Sequence, residues 1–338
     1  MESLSAILFR SGRILGRSCV QTQLRSQFQR PAGLRAFYFT TIATSQSPAV
    51  TNLLAPSLSY SQKPDHVALV AQRLEADGIL KITLGFQDDE SQYLEKLIRS
   101  LHARHGHQLP IAHSATRGWF WDVRPSHASF QTANHQARSE TMEDFPWHTD
   151  CSYEYPPPRF FALQVLQPDR HGGGTLSVMS AARLGEHLDG ATLAALMRPS
   201  FRIAIPTEFV KDPAARPWIR GRLIVADPRS GGAPILMIRF REDIVTPLDA
   251  EAAAALDKLR TALRHLAAQD HSTLHLSPED LPARSIILID NRRWLHARNR
   301  VADPERHLRR VRWDAAPISG LEDEERSEAT SSAEAAAA

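Results

Sequence analysis

The chain has 338 residues, with 40 Lys and Arg against 38 Asp and Glu and only two cysteines. Residues 1–45 hold six arginines against Glu2, residues 319–338 hold six acids against Arg326, and the body between them is nearly neutral. A neutral body excludes the basic stripe of a nucleic-acid surface, two cysteines exclude a disulfide framework, and no run reaches the ~18 apolar residues of a membrane span.

Taken from the N-terminus, "ILFRSGRILGRSCVQTQLRSQFQR" is rich in Arg and Ser and can form a helix with one basic and one apolar side. The pattern predicts a mitochondrial presequence over 1–45 and delivery to the matrix; a basic tail on a cytoplasmic protein is the alternative. Residues 66–76 and 89–104 carry apolar residues at helical spacing, and "ILKITL" at 79–84 alternates as a strand between them. The texture then changes to short β-like runs, "GWFWDVRP", "RFFALQVLQP", "TLSVMS", "RPSFRIAIP", "RLIVAD", "PILMIRF" and "SIILID", separated by Gly, Pro and Asp. One long helix over 246–269 interrupts them, and an acidic, Ala- and Ser-rich segment at 319–338 predicts a solvated tail. The body at 60–318 is thus expected to be one mainly β domain with flanking helices, a double-sheet jelly roll. No GxGxxG follows a strand, and "HGGGTLS" lacks the lysine of a phosphate loop.

Two His-x-Asp pairs stand out, His148/Asp150 and His187/Asp189. On an extended strand end, residues two apart point the same way and can grip one metal ion. The second pair lies in a stretch that reads as helix, where such residues diverge. Two imidazoles and one carboxylate leave part of an Fe(II) coordination sphere open. A third ligand is available at His296, which follows a buried apolar strand and a polar turn and precedes a basic strand. Cys151, next to Asp150, reads first as a small half-buried strand residue, with a metal neighbour or a nucleophile as the alternatives. Trp119, Phe120 and Trp121 read as core and pocket wall.

"WHTDCSYEYPPPRFFALQVL", "GGGTLSV" and "DNRRWLHARN...DPERHLRRVRW" together resemble the taurine-dioxygenase and gamma-butyrobetaine-hydroxylase-like (TauD/TfdA-like) superfamily of Fe(II)- and 2-oxoglutarate-dependent dioxygenases. The resemblance covers roughly residues 65–315 and implies a double-stranded β-helix. It implies His148, Asp150 and His296 as iron ligands. It also implies that Thr175, 25 residues after Asp150, and Arg306, ten after His296, hold the far carboxylate of 2-oxoglutarate. A guanidinium fork suits that task. Arg310 would lie on the same strand face, near the metal-bound carboxylate or an acidic substrate group.

The implied reaction consumes 2-oxoglutarate and O2, releases succinate and carbon dioxide, and hydroxylates, desaturates or cleaves a small molecule. Arg309, Arg310 and Arg312 favour a carboxylate- or sulfonate-bearing substrate; Arg312 stands where the carnitine-pathway enzymes have an aromatic cage residue for trimethylammonium. The cysteine-rich zinc domain of those enzymes is absent. Two other classes stay open from sequence: a non-catalytic metal-binding sensor or scaffold, and a zinc hydrolase with the same ligands. No feature specifies an oligomeric state.

Overall fold

Residues 50–110, 118–125, 136–210, 217–227 and 235–317 are described by the computed structural model, and they fall within one compact unit. The expected presequence and acidic tail lie outside the described residues. The strands begin with β1 (Asn52–Ala55), β2 (Ile79–Leu84), β3 (Trp121–Val123), β4 (Phe145–His148) and β5 (Phe160–Gln167). β6 (Leu176–Ser180), β7 (Phe201–Ala204), β8 (Trp218–Gly221), β9 (Ile224–Asp227) and β10 (Ile235–Ile238) follow. β11 (Val245–Pro247), β12 (Leu274–Leu276), β13 (Ser285–Asp290), β14 (Trp294–Arg298) and β15 (His307–Trp313) complete the series. The helices are α1 (Pro64–Ala76), α2 (Gln92–His105), α3 (Ala181–Gly185), α4 (Gly190–Leu196) and α5 (Ala250–Ala267).

Two sheets face each other. The larger runs β1-β2-β13-β5-β15-β3 and the smaller β12-β6-β14-β4. The sequence of β13, "SIILID", explains the layering, because all six residues are buried. Ile286 and Leu288 pack under α1 and α2, beside Val67, Val70, Leu94 and Leu97. Ile287 and Ile289 point the other way, into the space between the sheets, beside Phe161, Val178 and Trp294. A strand covered on both faces reads as a continuous apolar run because alternation has no solvent side to mark. The outer face of the smaller sheet, with Met179 and Leu295, is covered by α5 through Leu256, Leu259, Leu263 and Leu266.

Several boundaries differ from expectation. β1 precedes residue 60 and pairs in parallel with β2, so the sheet starts earlier than the expected domain. The stretch expected as helix from 246 opens with β11, and α5 starts only after Asp249, whose carboxylate accepts the Ala252 N–H at 2.7 Å. The region around His187 is two short helices rather than one, broken where Asp189 caps α4. Cys151 is fully buried in a turn at φ 54°, not half-buried on a strand.

Candidate active site

β14 pairs antiparallel with β4, and His296 lies directly opposite His148. Cross-strand partners share a face, so residues 148 apart in sequence bring their imidazoles to a ring-centre separation of 4.0 Å. The chain then turns, and Asp150 swings back towards both rings. Its Oδ1 lies 3.8 Å from His148 Nε2 and 3.8 Å from His296 Nε2. The three side chains are buried, with ligand atoms all within 4.8 Å of one another.

The surroundings favour a cation among them. His148 Nδ1 lies 2.7 Å from the Pro146 carbonyl, which can only accept, so the proton sits on Nδ1 and the Nε2 lone pair faces the cluster. Phe145 stacks on the same ring at 3.7 Å. Burial, then the neighbouring His296, push His148 well below its usual pKa. Burial likewise pushes His296 down to about 4, so both rings are neutral ligands at pH 7. Burial opposes ionisation of Asp150, but Arg310 and then Arg312 outweigh it, and the carboxyl is held below the usual range. Asp150 Oδ2 is buried without a partner. Two neutral imidazoles and a carboxylate with an unanswered oxygen fit an iron ion.

Asn291 fixes the turn. Its Oδ1 accepts the Asp150 N–H at 2.7 Å, and its Nδ2 donates to the Asp150 and Pro158 carbonyls at 2.9 Å each. Arg298, also buried, donates to the Ser139 and Thr141 carbonyls and holds the chain that leads into β4. Sequence reasoning missed both residues, because each acts on backbone atoms distant in sequence. The polar turn "DNRR" was the only trace of Asn291.

Arg306, just before β15, lines a cavity with Leu163, Val165, Gly174, Ile287 and Leu308. It is 5% exposed, its Nη1 has no hydrogen-bond partner, and no carboxylate among the described residues pairs with it. Burial, then Arg298, push its guanidinium down to about 9, the mark of a cation without an anion. Two loops form the rim. Asp169 accepts the Ala302 and Asp303 N–H groups at 2.7 and 3.1 Å, and Arg170 grips Asp303 at 2.6 and 3.0 Å. Gly174 (φ +69°) must be glycine, since a Cβ there would stand 2.8 Å from Arg306 Nε. Thr175 is half-buried, gives its N–H to Asn299 at 2.7 Å and is not in the cavity lining; Gly174 takes that place.

Arg310 reaches Asp150 Oδ1 at 3.3 Å and lines the pocket in front of the metal donors. Arg309 points to the opposite side of the sheet, to Asp122 at 3.1 Å. Burial pushes the Cys151 thiol up to about 12, which does not suit a nucleophile. Trp119 and Phe120 pack on the helix side of the larger sheet and Trp121 between the sheets; none of the three lines the metal pocket.

Residues 49–312 match the sequence model of the taurine catabolism dioxygenase TauD, TfdA family. The chain belongs to this family. A TauD/TfdA chain is an oxygenase by family, and the paired sheets are its double-stranded β-helix. Solved structures agree on the fold. An asparagine oxygenase in complex with Fe(II), 2S,3S-3-hydroxyasparagine and succinate is 17% identical over 77% of this chain and 92% of that one, with a TM-score of 0.56. The non-heme iron oxygenase OrfP in complex with Fe and alpha-ketoglutaric acid is 17% identical over 78% and 86%, with a TM-score of 0.53. No curated protein sequence matches the chain.

Proposed function

We propose that this TauD/TfdA-family chain is an active Fe(II)- and 2-oxoglutarate-dependent dioxygenase acting on a small carboxylate- or sulfonate-bearing metabolite. The observation that carries it is the presence of two half-sites, one where β4 meets β14 and one at the start of β15. One is the buried His148–Asp150–His296 cluster, and the other is the unpaired Arg306 in its apolar cavity. When bound, Fe(II) couples decarboxylation of 2-oxoglutarate by O2 to oxidation of a substrate C–H bond.

The chain's own residues do the rest. His148, Asp150 and His296 would hold the ion, and Asn291 fixes the turn that carries the aspartate. Arg306 takes the far carboxylate of 2-oxoglutarate, and Leu163, Val165 and Leu308 keep water from that ion pair, where low dielectric strengthens it. Arg310, which reaches Asp150 at 3.3 Å, would present its fork to an anionic group beside a bound metal. A hydrolase or a metal-bound scaffold leaves Arg306 buried with nothing to pair. A trimethylammonium cage is disfavoured, because the aromatic trio 119–121 does not line the pocket and Arg312 does.

Anaerobic titration with Fe(II) and 2-oxoglutarate tests the reading. A weak visible charge-transfer band should appear only with both; no band, or metal binding indifferent to 2-oxoglutarate, refutes it. We further propose that residues 1–45 direct the protein to mitochondria, which a diffuse cytosolic signal from a reporter fused to that segment would refute.

A further inference from the structure

The pocket in front of the metal donors contains four arginines and one acid besides Asp150, and its charges divide into answered and unanswered. Arg241 is held by both oxygens of Asp243 at 2.8 and 3.0 Å. Arg138 donates to the Asp144 carbonyl at 3.1 and 2.8 Å and lies 3.6 Å from Asp243. Arg310 faces Asp150. Two side chains remain.

Arg312 is 4% exposed, and its hydrogen bond goes to the sulfur of Cys151, a weak acceptor for a guanidinium. No carboxylate among the described residues lies within ion-pair distance of it. Glu208 sits in the short 3-10 turn Thr207–Phe209 that follows β7. It is half-buried, lines the same pocket, and has no hydrogen-bond or ion-pair partner among the described residues. A buried cation and a half-buried anion thus line one cavity, each without an ion-pair partner among the described residues. Tyr153 stacks on Phe209 at 5.3 Å and supplies an apolar wall to the same pocket.

We propose that the substrate is a small amino acid, its carboxylate taken by Arg312 and its primary ammonium by Glu208. This rests on the oxygenase reading above and narrows it. A simple carboxylate or sulfonate would answer Arg312 and leave Glu208 with no partner. A trimethylated amine has no N–H to give a carboxylate and prefers an aromatic face.

The test uses the full chain with Fe(II), 2-oxoglutarate and O2, and reads succinate release. The probes are α-, β- and ω-amino acids, each beside its desamino and N-trimethyl counterparts. The anaerobic absorption band is recorded first on the same preparation. At least one amino acid should raise succinate release about tenfold above the substrate-free rate and exceed both counterparts by about tenfold in kcat/KM, the size of one charge-assisted contact. Glu208→Gln should shrink that preference to within about threefold, and the ratio is internally controlled against loss of fold. If the band forms but desamino or N-trimethyl compounds serve as well as the amino acids, or no amino acid stimulates turnover, the inference is overturned. An unchanged preference in Glu208→Gln also overturns it. If no band forms, the failure is that of the oxygenase reading, and the inference falls with it.

Discussion

The same three-residue pattern, His-x-Asp, occurs twice and does two unrelated things. At 148–150 the histidine ends a strand, the aspartate follows in a turn clamped by Asn291, and a third ligand arrives from the facing strand. At 187–189 the histidine is exposed between two short helices, its Nδ1 donating to the Arg183 carbonyl at 3.1 Å. There Asp189 is occupied: it accepts the Thr192 N–H at 2.8 Å as the α4 cap and pairs with Lys258 at 2.7 Å. What separates the pairs is context. The first has burial, an imidazole facing it across a ladder, and a carboxylate oxygen with no partner; the second has a carboxylate already spent on capping.

The most direct way to break this comparison is to exchange the losses. His148→Ala, Asp150→Ala or His296→Ala should each abolish Fe(II)-dependent 2-oxoglutarate turnover and lower bound iron, whereas His187→Ala should leave both at the level of the unaltered protein. Iron content and succinate release measure it. Metal lost in His187→Ala and retained in His148→Ala would mean that the wrong pair has been assigned.

His148 and His296 sit in segments with strand-like neighbours, and a carboxylate two residues after His148 is a local signal, so this cluster was legible in the sequence. The stretch around 187–189 is not the one helix that its pattern predicts: Asp189 points away from His187 because it caps α4. β13 was legible as a buried run, and α1, β2 and α2 by periodicity. β1 was not, because "NLLA" is four residues long and its partner strand lies beyond a helix. Asn291, Arg298 and the Asp169–Arg170 rim were also invisible. Their hydrogen bonds reach backbone or side-chain groups more than a hundred residues away, and no local pattern records such a partner.

A second difference sharpens the comparison: the first pair shares its interior with a charged cavity. Arg306→Lys keeps the charge but loses the bidentate fork. It should raise the apparent 2-oxoglutarate constant by about ten- to hundredfold, following from ~1.4 kcal/mol per decade, with iron binding little changed. Arg310→Lys should disturb substrate-coupled turnover more than 2-oxoglutarate affinity. The reverse ranking, read from steady-state titrations, would shift the anchor four residues along β15. Thr175→Val should act in the same direction as Arg306→Lys but only by a few-fold, because a neutral hydrogen bond is worth about 1 kcal/mol and Gly174, not Thr175, abuts the guanidinium.

The smallest effect belongs to the second pair and tests its structural role. The hydrogen bond from Lys258, then that from the Thr192 N–H, hold Asp189 down to about pKa 2. Its folded-state pKa is therefore below the ordinary ~3.9, so the unfolded chain binds the proton more readily. Whatever the ionised cap contributes is fully present above about pH 4 and is lost as the pH falls through about 2. Asp189→Ala should lower the melting temperature by a few degrees at pH 7, as loss of one exposed helix cap does, without affecting iron content. The gap between variant and unaltered protein should narrow as melts are repeated from pH 5 towards pH 2, since protonation removes from the native protein what the mutation removes at every pH. Asp189→Asn, which caps about as well but cannot pair with Lys258, should fall between them at pH 7. A loss of iron in Asp189→Ala, or a gap that widens on acidification, would mean that this carboxylate does something other than hold the start of α4.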